Sequence, residues 1–183
     1  MAIKQKHLVY HLTYIAMCVA FLTVCSWITI PFAINFTMQV FAVFLIAVLS
    51  DWKSSLCSVL LYLALGFCGV PVFSGFMAGP MVFVHITGGY LIGFLISAPI
   101  ISVFAKRVAH KKLFLVLVMG IGLLICYTFG VVWYRMIYPD PSLWGAVVVC
   151  VLPFLLPDFL KILIVLLVAD RIRPHLHATI HSR

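Results

Sequence analysis

Residues 155–171 read LLPDFLKILIVLLVADR, and they set a carboxylate, Asp158, and an ammonium, Lys161, three positions apart among leucine, isoleucine, valine, phenylalanine and proline. In a helix the two lie about one turn apart on one face, near enough to pair with each other or to grip one ligand together. A carboxylate accepts from N–H donors, and an ammonium neutralises an anion or donates to a carbonyl, so the pair suits a polar ligand that carries both kinds of group. Pro153 and Pro157 add to this inventory. Each lacks an amide and leaves the carbonyl four residues earlier without its helical donor.

The rest of the chain decides what must position that pair. Of its 183 residues 66% are apolar, with 12 Lys and Arg against four acidic residues, all of them Asp. Such a balance cannot furnish a water-soluble surface, and it marks an integral membrane protein. Lys161 lies nine residues before Asp170, or roughly 13 Å at 1.5 Å per residue, which sets the pair toward the middle of the bilayer. Each charge there costs about 2.5 to 3.5 kcal/mol on insertion scales, so both must face a protected interior or a polar cavity.

Apolar stretches separated by charge or by Gly and Pro predict an all-α bundle of six transmembrane helices in a single domain, over about 11–30, 37–50, 54–70, 87–104, 113–134 and 143–169. The second and third are short and form a hairpin, and residues 170–183 follow as a basic tail. With both termini in the cytoplasm, Lys4, Lys6, Lys53, Lys106, Arg107, Lys111, Lys112, Arg171, Arg173 and Arg183 all fall inside, leaving Arg135 alone in the outer loops. The positive-inside rule asks for this asymmetry. It also explains the net charge of +8 without a folded basic surface for nucleic acid, so membrane lipid and not nucleic acid is the expected surrounding. The first apolar run is long and has no small-residue cleavage site, and is expected to be a retained helix.

Residues 66–93, GFCGVPVFSGFMAGPMVFVHITGGYLIG, hold seven glycines and two prolines with no formal charge. A linker would be more polar, and a spanning helix would not tolerate so much Gly and Pro. Its middle is expected to be an apolar loop folded back over the bundle, placed to cover a ligand entering from outside. The six cysteines are scattered with no metal-ligand spacing and read as small packing residues. His175, His177 and His181 in the tail have no surrounding shell of partners, so no metal site is assigned to them. Ala16 and Ala20, like Gly89 and Gly93, form small-xxx-small pairs suited to close helix contact.

TGGYLIGF at 87–94, following GFCGVPVF at 66–73, resembles the BioY family, the biotin-specific substrate-binding (S) components of energy-coupling-factor transporters. IPFAINFTMQVFAV at 30–43 is similar to the family's Ile-Pro and Thr-Leu-Gln elements, and PDFLK at 157–161 matches its sixth-helix Asp and Lys. The resemblance covers nearly the whole chain. It departs where His85 and Ile86 replace the family's Gly-Pro before Thr-Gly-Gly-Tyr, and where SDWKSS replaces a turn richer in Gly and Arg.

The resemblance implies a biotin site formed by Asp158, Lys161, Tyr90, Thr87, Gly88, Gly89 and Gln39. It also implies a contact at Ala16 and Ala20 with a transmembrane coupling protein, which works with paired cytoplasmic ATPases. Binding without catalysis and without a cofactor is the implied activity. The chain has no GxxxxGK[ST] loop, so energy must come from other chains or transport must be passive. A solitary biotin carrier or facilitator fits the same residues. An intramembrane enzyme using Asp158 as acid or base would need paired carboxylates or a nucleophile with its base, and the sequence offers neither.

Overall fold

The computed structural model describes the backbone of residues 2–31, 34–108, 111–138 and 142–181, and the side chains of residues 8–31, 34–108, 111–138 and 142–173. The tail histidines, Lys4, Lys6 and Arg183 lie outside the described side chains. The elements are α1 (Ala2–Trp27), β1 (Thr29–Ile30), β2 (Phe36–Thr37), α2 (Gln39–Leu49), α3 (Trp52–Phe67), α4 (Met81–Val84), α5 (Gly88–Arg107), α6 (Lys112–Ile137), α7 (Leu143–Cys150) and α8 (Leu152–His181). Among the described residues four stretches are helical, long and apolar enough to cross a membrane: Leu8–Trp27, Gly88–Arg107, Lys112–Ile137 and Leu152–Arg173.

The two shorter helices behave differently. At 11 and 16 residues, α2 and α3 reach roughly 16 and 24 Å, short of the 30 Å of hydrocarbon. α2 is a core element: nine of its residues, from Gln39 to Val48, are buried, and it packs against α1, α5 and α8. Its apolar run therefore reflects protein on all sides rather than lipid.

Several boundaries depart from the sequence expectation. The first helix stops at Trp27, and the β-branched Thr29–Ile30 pairs antiparallel with Phe36–Thr37, with Thr29 opposite Thr37 and Ile30 opposite Phe36. Pro31, just beyond β1, cannot donate to a ladder. The short ladder adds an element to the expected all-α fold and turns the chain into α2. The stretch expected as one sixth helix is two, because Val151 leaves helical geometry at φ −121°, ψ −54°. Pro153 is the cause: it has no amide for the Val149 carbonyl, and it is tolerated only in the first turn of a new helix, α8.

α3 starts on Asp51, whose Oδ2 accepts from the amides of Lys53 at 3.1 Å and Ser54 at 3.2 Å, an N-cap. Burial alone would raise the pKa of this carboxyl, but the Ser54 hydroxyl and amide, the Lys106 ammonium and the Lys53 amide hold it below the usual carboxylate range. Ser102 Oγ on α5 donates to the Ser50 carbonyl at 2.7 Å, and Lys112 pairs with Asp170 at 2.6 Å. These contacts gather Lys53, Lys106, Lys112 and Asp170 at one end of the bundle. The β ladder and the loop between α3 and α5 occupy the other.

α5 and α6 touch at glycines. A Cβ on Gly89 would lie 2.4 Å from the Phe129 carbonyl oxygen, and one on Gly93 would lie 2.8 Å from Cys126 Cα. The Gly89–Gly93 stripe is thus the surface on which the two backbones meet.

Candidate functional site

The pair that opens the site lies on α8. Asp158 is 2% exposed and Lys161 8%, with Lys161 Nζ donating to Asp158 Oδ1 at 2.7 Å. The other carboxylate oxygen, Oδ2, accepts from Tyr127 Oη on α6 at 2.9 Å. Two donors thus hold the carboxylate in one plane, and its remaining lone pairs are open to further N–H groups. Of the three N–H groups of Lys161, one is engaged among the described residues.

Both charges line a cavity bounded by α2, α5, α6, α8 and the loop before α4. Thr37, Gln39, Thr87 and Tyr90 line it too, as do Asn35, Ser74 and Tyr127. Most of the rest of the wall is apolar, with Phe73, Phe94, Leu123 and Phe154 prominent. A few convergent polar groups in an apolar cavity are the usual constitution of a small-molecule site.

Tyr90 contributes a ring more than a hydroxyl. Its Oη donates to the Cys150 carbonyl, one of the carbonyls left without a helical partner where the chain breaks at Val151. Its ring centroid lies 6.3 Å from that of Phe154, which lies 4.6 Å from Phe36. Thr87 is the reverse case: its Oγ1 is buried, and no partner among the described residues satisfies it. A buried polar atom without a partner in a cavity wall is suited to a ligand's own polar group.

Gly88 and Gly89 do not line the cavity. A Cβ at Gly88 would sit 2.1 Å from the Phe83 carbonyl oxygen, so both glycines admit backbone rather than ligand. The loop contributes Phe73, Ser74 and Met77 to the cavity. It is tied down by Asn35 Nδ2 donating to Ser74 Oγ at 3.0 Å and by Trp27 Nε1 donating to the Pro71 carbonyl at 2.9 Å. His85 and Ile86, the points of departure from the family pattern, lie outside the lining. The His85 carbonyl accepts from Trp133 Nε1 at 3.2 Å.

Sequence reasoning missed Tyr127, Asn35, Thr37 and Ser74. Tyr127 was open to detection: Gly122, Cys126 and Gly130 form a small-residue stripe along α6, and Leu123 and Tyr127 follow that stripe at helical spacing. Asn35 and Ser74 lie in irregular chain, where no periodicity reports direction.

Away from the cavity, Ala16 and Ala20 are exposed. With Val19, Thr23, Val24 and Trp27 of α1 and Leu61 and Leu65 of α3 they line a shallow apolar groove on the outside of the bundle.

The model of the BioY family matches residues 2–178. The chain is 36% identical over 156 residues to the biotin transporter BioY of Thermotoga maritima, an alignment covering 84% of this chain and 90% of that one. It is 34% identical over 132 residues to the biotin transporter BioY2 of Lactococcus lactis subsp. cremoris, covering 72% of each. Its fold is similar to the crystal structure of the S-component for biotin from an ECF-type ABC transporter, with a TM-score of 0.84 at 22% identity over 92% of this chain and 93% of that one.

Proposed function

The chain belongs to the BioY family, a family of transporters rather than enzymes, and from that premise we propose that it is the biotin-binding membrane subunit of an ECF-type vitamin transporter. The observation that carries the reading is the buried Asp158–Lys161–Tyr127 cluster in the wall of an aromatic-lined cavity. Biotin has a ureido ring with two N–H donors and a carbonyl, an apolar thioether ring and a carboxylate tail. Asp158 accepts from a ureido N–H, Lys161 meets a carbonyl or the carboxylate, and the Thr87 hydroxyl supplies a further polar contact. Tyr90 and Phe154 wall the rings.

In this reading the chain makes six membrane crossings, α2 and α3 forming a short hairpin and α7 with α8 one broken crossing. Both termini face the cytoplasm, as do Lys53, Lys106 and Lys112. The loop carrying Phe73 and Ser74 covers the cavity from the outside. Energy comes from separate cytoplasmic ATPases through a transmembrane coupling protein, seated on the α1 groove at Ala16 and Ala20, whose small side chains allow close helix approach.

A double variant, Ala16→Trp with Ala20→Trp, tests binding and assembly together. The expected result is biotin binding equal to wild type and loss of co-purification with the coupling protein and ATPases. Unchanged co-purification would remove the coupling role from this groove. A wild-type protein that binds biotin and transports it without any ATPase would show a solitary carrier.

A further inference from the structure

Tyr62, on α3, is 1% exposed and does not itself line the cavity. Its hydroxyl lies between Gln39, which does, and the backbone of the loop. Gln39 Nε2 donates to Tyr62 Oη at 2.6 Å, and Tyr62 Oη donates to the Val72 carbonyl at 3.1 Å. Ser26 Oγ donates to the same carbonyl.

The bonds at the two ends of the Gln39 side chain agree on the direction of this chain. With the phenolic proton of Tyr62 given to the Val72 carbonyl, its oxygen accepts from Gln39; at the other end the Thr37 hydroxyl, which already accepts from the Gln39 backbone N–H, gives its proton to an oxygen. It follows that the nitrogen end of the Gln39 amide, and not its oxygen, faces Tyr62. The oxygen end turns toward Thr37, a cavity-lining residue. There Thr37 Oγ1 donates to Gln39 Oε1 at 3.2 Å and accepts from the backbone N–H of Gln39 at 3.3 Å. One lone pair of Oε1 remains for a ligand.

We infer that Tyr62 is a positioning residue for ligand recognition: it locks the Gln39 amide with its oxygen toward the cavity, so that this wall selects N–H donors. The inference rests on the biotin reading, in which Asp158 is one acceptor and Gln39 Oε1 a second for the two ureido N–H groups. Without the Tyr62 hydroxyl the amide is free to turn over and present its own N–H groups there, and donor would meet donor. Packing is not what the hydroxyl supplies. The Tyr62 ring stands edge-on to Phe73 with centroids 5.3 Å apart, and phenylalanine keeps that contact.

A double-mutant cycle on biotin affinity tests this with the full-length chain. Tyr62→Phe is expected to weaken binding about tenfold, the scale of one buried hydrogen bond, and to cost almost nothing further in a Gln39→Ala background. Equal losses in both backgrounds, or no loss in either, would overturn the inference. If Gln39→Ala binds too weakly to titrate, the comparison passes to the two mono-N-methyl ureido analogues of biotin. Discrimination against at least one of them drops about tenfold in Tyr62→Phe, and unchanged ratios for both would overturn the inference. A wild-type chain that binds no biotin would instead fell the proposed function, and this inference with it.

Discussion

An Asp158→Asn chain is expected to bind biotin about 2 to 5 kcal/mol more weakly than wild type, the scale for removing one member of a buried charged contact. The carboxylate accepts from Lys161 through Oδ1 and from Tyr127 through Oδ2. An amide of the same shape offers one oxygen where two acceptors stood, and its nitrogen must face either Tyr127 or Lys161. Lys161 then lies buried without its countercharge, and a ligand N–H loses the charge it would have met. Lys161→Ala weakens binding as well, by stranding Asp158.

Asp170→Asn is the natural control. Its pair with Lys112 spans 2.6 Å, but the two side chains are 32% and 68% exposed, and such pairs contribute about 0 to 1 kcal/mol. A purely structural role for Asp158 and Lys161 predicts a different result: a lowered melting temperature with affinity untouched in the folded fraction. Both quantities measured on each variant separate the two.

The second large effect is on folding. In Gly89→Ala the new Cβ would lie 2.4 Å from the Phe129 carbonyl oxygen and 2.5 Å from Trp133 Cβ. The first of these is helix backbone and moves only if α6 moves. The expected destabilisation is roughly 3 kcal/mol, the upper part of the range for overpacking a tight interior, read as a lower melting temperature in detergent. Because Gly89 is absent from the cavity wall, the loss should fall chiefly on stability, with biotin affinity of the folded protein reduced far less than in Asp158→Asn. A normal melting temperature with lost affinity would instead return Gly89 to the ligand site, where the family resemblance had put it.

That contrast shows what the sequence could and could not disclose. Charges among apolar residues are legible because the membrane makes them costly, so Asp158 and Lys161 stand out, and helical spacing puts them on one face. The third member of their cluster, Tyr127, is 31 positions away and depends on how α6 meets α8, a matter of tertiary packing. Gly88 and Gly89 read as ligand contacts by their place beside Tyr90, while their backbone neighbours Phe83 and Phe129 are visible only in three dimensions.

The spans divide in the same way. Long apolar stretches announce α1, α5 and α6, since length against bilayer thickness is a strong constraint. α2 is as apolar as a lipid-facing helix but is enclosed by protein, and composition does not separate the two surroundings. Pro153 signalled a disturbance in the last span. That it splits the span at Val151 and releases the Cys150 carbonyl to Tyr90 depends on α5 standing opposite.

Biotin recognition is a property of the isolated chain. Calorimetric titration of the purified protein with biotin, with desthiobiotin, thiamine and riboflavin as competitors, measures it. The predicted result is saturable, one-to-one binding of biotin that desthiobiotin displaces, through the ureido groups it shares, and that thiamine and riboflavin leave unchanged. No heat of binding with biotin, or displacement by thiamine or riboflavin as effective as by desthiobiotin, would contradict it.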